Sequence, residues 1–220
     1  MVRCVFFTTF SLLMAGGLPA ADTPNKWEAE IARFEKQDAA MPPEKGQNLF
    51  VGSSSVRMWK LKESFPEHVC INRGFGGSQL KDVVQFVDRL VIPHEPRVVV
   101  LYAGDNDIGA KRTAADVHAD YRRFVDRVRE RLPQTKIVWV SIKPSGKRWA
   151  LREEAMAANA LIQKDIAAGK GDVYIDVWAP MLGDDGLPRP ELYLADQLHM
   201  TPAGYAVWNK LVEPHLYSGK

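Results

Sequence analysis

The sequence predicts an α/β protein: a three-layer α/β/α sandwich around a central, parallel, five-stranded sheet. Three observations predict it. Five short apolar runs alternate with segments of helical period, the pattern of a parallel sheet with crossover helices. The runs are uniformly apolar, as strands covered on both faces must be. The 220 residues, 46% hydrophobic and 25% charged, can build a substantial core without disulfide staples.

The elements follow in order. Arg3, an apolar run from Val5 to Leu18, and Pro19-Ala20-Ala21-Asp22 have the pattern of a secretory signal over residues 1–21, cleaved near Ala20 or Ala21. Thr8, Thr9, Ser11, Gly16 and Gly17 make that run too short and polar for a good bilayer span. Export to the periplasm or the medium is therefore expected. Residues 22–47 read as a polar lead-in with one helix, Lys26 to Gln37, ended by Met41-Pro42-Pro43, and residues 48–220 as the main domain. Strands are expected at Asn48–Val51, Val69–Ile71, Arg97–Tyr102, Lys136–Ile142 and Asp172–Val177. A helix is expected over Gln79–Leu90, with Leu80, Val83, Val84, Val87 and Leu90 on one face. Ala114–Leu132 repeats the pattern with Val117, Tyr121, Phe124, Val125 and Val128, and its many charges read as a solvated face. Glu153–Ala168 and Pro202–Leu211 complete the set, the last entered through Thr201 as N-cap and Pro202 as first helical residue.

Charge and cysteine usage exclude several classes. Lys and Arg number 29 against 27 Asp and Glu, a balance without the basic excess or stripe of a nucleic-acid binder. No segment after the N-terminal run is apolar enough for a membrane span, so integral membrane contact is not expected. Of the 2 cysteines, Cys4 falls in the signal, and Cys70 reads as a small buried strand residue. His68, His94, His118 and His215 lack metal-ligand spacing and read as surface or packing residues.

In a parallel sheet the strand ends share one edge, where ligands bind. After the first strand comes Gly52-Ser53-Ser54-Ser55, a glycine turn into a helix start. It can expose a serine hydroxyl beside free N–H groups, and equally it can serve as simple capping. After the second comes Asn72-Arg73-Gly74-Phe75-Gly76-Gly77-Ser78, a loop whose backbone can approach a ligand closely or merely turn. After the third comes Gly104-Asp105-Asn106-Asp107, where Asn106 can offer a side-chain amide. Asp196 and His199, three residues apart in the loop before the last helix, can pair carboxylate with imidazole and leave the other ring nitrogen free as a base.

These four blocks, in this order, resemble the SGNH hydrolases, the GDSL-type esterases and lipases, from about residue 48 to about residue 214. The resemblance implies a flavodoxin-like SGNH hydrolase fold and a serine ester hydrolase that needs no cofactor. It assigns Ser54 as nucleophile, His199 as base and Asp196 as its partner. It assigns the oxyanion hole to the N–H groups of Ser54 and Gly77 and the amide of Asn106. Two positions depart from the family pattern: Ser53 replaces the usual Asp before the nucleophile, and Ser78 replaces the Asp that often follows the glycine pair. Both are expected to alter how the serine loop is held. Arg57, Trp59 and Lys60 after the serine, and Lys143, Pro144, Ser145, Arg148 and Trp149 after the fourth strand, are candidates to line the substrate site, with Arg57, Trp59, Arg148 and Trp149 foremost. No long apolar segment offers an acyl-chain lid, which favours a short acyl group, such as acetyl, on a carbohydrate or small alcohol. The alternatives are a lysophospholipase or thioesterase-type lipid esterase, and a non-catalytic relative binding an anion or glycan. A pure anion cradle would leave Asp196, His199 and Asn106 without a role.

Overall fold

A computed structural model describes Met1 and residues 25–219. The expected signal segment, Met1 apart, lies outside the described residues. The sheet comprises β1 (Asn48–Gly52), β2 (Cys70–Gly74), β3 (Val98–Tyr102), β4 (Lys136–Val140) and β5 (Val173–Ile175). All pairings are parallel, in the order β2-β1-β3-β4-β5. Every residue of β1 and β3 is buried, as expected of central strands covered on both faces.

Strand alternation divides the core into two layers. Leu49, Val51, Val99, Leu101, Ile137 and Trp139 face one side. There they meet α1 (Glu28–Ala40), α4 (Leu80–Gln85), α5 (Val87–Leu90), α7 (Ala114–Arg131) and α8 (Arg152–Ala168). Phe50, Val98, Val100, Tyr102, Val138 and Val140 face the other side, against α2 (Ser54–Arg57), α3 (Leu61–Ser64) and α9 (Pro202–Val212). A short α6 (Asp105–Gly109) follows β3. No described helix is long and apolar enough to cross a membrane.

Three local expectations are corrected. The helix over 79–90 is two, broken at Phe86 (φ −104°, ψ 8°), which seats Phe86 edge-on against Phe75. The second strand runs past Ile71 to Gly74, because Asn72, Arg73 and Gly74 pair with Phe50, Val51 and Gly52. At this sheet edge Arg73 finds a carboxylate partner in Asp38 of α1. The charged face of α7 is not wholly solvated: Asp120 is fully buried and shares Arg112 with the buried Asp107.

Candidate active site

Strand order reverses between β1 and β3, and their C-terminal ends open a crevice at that switch point, where open α/β sheets bind ligands. The serine turn rises from β1. Gly52 has φ +144°, and a Cβ there would lie 1.8 Å from the Tyr102 carbonyl oxygen, so only glycine fits. Ser53 is extended. Its N–H donates to Tyr102 O (3.1 Å), and its carbonyl accepts from the N–H groups of Val56 and Arg57 (both 3.0 Å). The main chain therefore makes the turn, and the Ser53 side chain caps nothing. Ser54 is the first residue of α2, and its N–H donates to no group among the described residues.

The loop from Leu194 to Met200 brings the histidine to that serine. Leu194 N–H donates to His199 O (2.7 Å), and Gln197 N–H donates to Leu194 O (2.8 Å), with Gln197 left-handed at φ +55°. This tight turn folds Asp196 back. One carboxylate oxygen accepts from the N–H groups of Leu198 (3.0 Å) and His199 (2.9 Å), while the other lies 2.6 Å from His199 Nδ1. His199 Nε2 then stands 3.0 Å from Ser54 Oγ. The hydrogen bond to His199 holds the Asp196 carboxyl at about 2, although nearly half of that side chain is exposed. Thr201 caps α9 as expected: its Oγ1 accepts from Gly204 N–H (3.3 Å) and donates to Glu191 O (2.8 Å).

The glycine loop and Asn106 complete the crevice. Gly77 has φ +75°, and its N–H is unused among the described residues. Ser78 is buried. Its hydroxyl reaches Phe75 O (3.0 Å) and Gly52 O (3.4 Å), and its carbonyl accepts from Asn106 Nδ2 (3.0 Å). Thus Ser78 ties the serine, glycine and asparagine blocks together. Asn72 braces the same corner, donating to Val56 O (2.8 Å) and Trp59 O (3.2 Å) and accepting from Gly74 N–H (2.9 Å).

The four foremost substrate candidates separate. Trp59 is a core residue: it packs on Phe50, Phe65, Tyr205 and Trp208, and its indole N–H donates to Asn209 (2.9 Å). Arg148 turns inward to Asn106 and Asp105 rather than outward. Trp149 is half-buried and stacked on Trp178. Arg57 is exposed, with its guanidinium over Gly76, beside the Gly77 loop. Lys143, Pro144 and Ser145 are buried, whereas Lys60 is exposed.

Trp27 carries no local signal in the sequence, and Lys143, a candidate to line the substrate site, is turned inward instead. Trp27 packs edge-on against Phe75, and its ring lies 3.5 Å from where a Cβ on Gly77 would be, so the start of α1 walls the glycine loop. Lys143 bridges Asp105, Tyr102 and Ser55 under the serine turn. Among the described residues no group of three His, Cys, Asp or Glu side chains is placed to hold a metal ion.

The five-stranded parallel sheet, in the order β2-β1-β3-β4-β5 and covered by helices, has the SGNH hydrolase fold. The chain belongs to the GDSL-like lipase/acylhydrolase family, whose sequence profile matches residues 51–207, and it is a carboxylic ester hydrolase. Human platelet-activating factor acetylhydrolase IB subunit alpha1 is 27% identical over 187 residues, spanning 82% of this chain and 78% of the human protein. A GDSL-like lipase from Bacteroides thetaiotaomicron superposes with TM-score 0.70 at 19% identity, covering 85% of this chain and 97% of the lipase. A catalytic mutant of Axe2, an acetylxylan esterase from Geobacillus stearothermophilus, superposes with TM-score 0.62 at 16% identity, covering 79% and 95%.

Proposed function

We propose that this chain hydrolyses short acyl esters, acetyl esters of a carbohydrate or small alcohol above all, through an acyl-Ser54 intermediate. The observation that carries the mechanism is the run of contacts from Ser54 Oγ to His199 Nε2 (3.0 Å) and from His199 Nδ1 to Asp196 (2.6 Å). Asp196 holds the proton on Nδ1, which leaves Nε2 free to accept the serine proton. Ser54 Oγ attacks the ester carbon as that proton moves to Nε2. The oxyanion forms against the N–H groups of Ser54 and Gly77 and the free amide proton of Asn106. Collapse expels the alcohol, which takes the proton from His199. A water then attacks the acyl-serine with His199 again as base, releasing the acid and restoring Ser54.

The preference for a short acyl group is supported by the acetylhydrolase name of the 27%-identical human relative. A second reading has its own observation. Met58, Met200, Pro202 and Tyr205 line a groove of about 360 Å³ beside the catalytic histidine loop, and a longer acyl chain would find apolar surface there. Hydrolysis of 4-nitrophenyl acetate, butyrate and longer esters by the purified protein, beside Ser54→Ala, tests both. Activity that falls with chain length and vanishes in Ser54→Ala supports the proposal. Activity that rises with chain length selects the lipid esterase, and activity retained in Ser54→Ala refutes the mechanism.

A further inference from the structure

We propose that Arg148 is a positioning residue that aims the Asn106 amide at the oxyanion, through a partly buried chain of polar and ionic contacts running Ser55–Lys143–Asp105–Arg148–Asn106. The inference rests on the assignment of Asn106 and Ser54 proposed above. Arg148 Nη2 donates to Asn106 Oδ1 at 2.9 Å. Guanidinium has no acceptor, so it accepts only the carbonyl end of the amide as a neighbour. Asn106 Nδ2 donates one proton to Ser78 O at 3.0 Å. Its second amide proton remains for a ligand. A flipped amide would set N–H against guanidinium and carbonyl against carbonyl, so the two contacts together select one orientation.

The guanidinium is itself held. Its Nε lies 2.8 Å from Asp105 Oδ1, close enough for an ion pair but without hydrogen-bond alignment. Asp105 Oδ2 accepts from Lys143 Nζ at 2.8 Å, and the Lys143 side chain is only 1% exposed. Lys143 also donates to Tyr102 OH (3.0 Å) and reaches Ser55 Oγ (3.4 Å), next to the nucleophile. Burial pushes the Asp105 carboxyl up, but the Lys143 and Arg148 charges outweigh it and leave it below its ordinary value. Two cations on one carboxylate leave one net positive charge beside the groups that meet the oxyanion, the sign that stabilises it. The fold makes room for this arrangement: a Cβ on Gly109 would lie 1.0 Å from Arg148 Nη1.

The test uses purified full-length protein with 4-nitrophenyl acetate. Removing an oxyanion donor costs about 10²–10³ in kcat, and a misaimed donor loses part of that. Arg148→Ala is expected to lower kcat by about 10–100-fold with KM within about twofold. Arg148→Lys keeps a charge for Asp105 but lacks the planar fork that spans both partners, so it should rescue only part of the loss. In an Asn106→Ala background, Arg148→Ala should cost less than about threefold, because its effect runs through the amide. Gly109→Ala displaces the guanidinium without removing it, so it should reproduce the kcat loss and be silent when added to Arg148→Ala. It also keeps the test open if Arg148→Ala fails to fold. A rise in KM with kcat intact would make Arg148 a substrate contact and overturn the inference. So would multiplicative losses for Arg148→Ala and Asn106→Ala. Full activity in Ser54→Ala would instead sink the underlying mechanism, which separates the two failures.

Discussion

Replacing Asp107 by alanine tests how the glycine loop is anchored. Asp107 is fully buried, and its carboxylate does two jobs: one oxygen accepts from Leu80 N–H (2.9 Å) at the start of α4, and the other pairs with Arg112 (2.6 Å). Leu80 stands three residues after Gly77, so this contact ties the glycine loop to α6, which carries Asn106. Breaking a buried ion pair from one side typically costs about 3–5 kcal/mol, and an orphaned buried N–H about 1–3 kcal/mol. Arg112 keeps Asp120 and is 20% exposed, so the loss falls below that sum, at about 3 kcal/mol. For a domain of this size that is a fall of roughly 6–12 °C in Tm. Asp107→Asn keeps an acceptor for Leu80 and should lose only about 1–2 kcal/mol. The sign of the pH dependence is also set. Burial pushes the Asp107 carboxyl up, with Asp120 adding to the rise against the pull of Leu80 N–H and Arg112. Between the unfolded and the raised folded value the folded protein binds more protons than the unfolded chain, so stability falls as pH rises through that window. Asp107→Asn lacks that loss, so its deficit against wild type should shrink as pH rises from the ordinary carboxylate range through the raised value. Urea unfolding of the three proteins across pH measures all of this. A deficit below about 1 kcal/mol for Asp107→Ala, or equal deficits for Ala and Asn, would refute the anchoring argument.

Three further expectations follow from the same geometry. Gly52→Ala should abolish folding or cost more than about 3 kcal/mol, since a Cβ 1.8 Å from a backbone oxygen must push β1 from β3; a wild-type melting curve would contradict this. Asp196→Asn should lower kcat by about 10⁴ while changing stability at pH 7 by less than about 1 kcal/mol, because the pair is half-exposed but fixes the tautomer. Its carboxyl is held at about 2, below the unfolded value, so its stabilisation is present above about pH 4 and lost as pH falls toward 2, which acid titration of stability would detect. Burial pushes the Cys70 thiol up to about 12, so at pH 8 DTNB should label it only on unfolding; rapid labelling of the native protein would show the thiol open to solvent.

Residues whose partners lie near in the chain were legible. Asp196 and His199 meet as their spacing suggests, because one tight turn brings carboxylate and imidazole together. Thr201 and Pro202 start α9 as read, since a cap needs only its own first turn. The five apolar runs became the five strands because uniform apolarity states burial on both faces without reference to a partner. That the candidate blocks after the strands meet was legible too, because crossover handedness sends every such end to one edge.

What the tertiary structure alone decided is which side chains turn in. Trp59 and Trp149 look alike as tryptophans following a strand end, yet one is buried among four aromatic rings and the other stacks half-exposed on Trp178. Arg148 and Lys143 stand in the sequence among the candidates to line the substrate site, but Asp105, brought from about forty residues away, gives them an interior partner. A charge enters the core only where a distant segment supplies its counter-charge, and no window of local sequence contains that segment. The same holds for Trp27, whose position against the Gly77 loop depends on where α1 docks. Sequence thus determined the sheet, its edge and the turn that pairs Asp196 with His199, which follow from local pattern. The packing that aims those groups came from contacts between segments far apart in the chain.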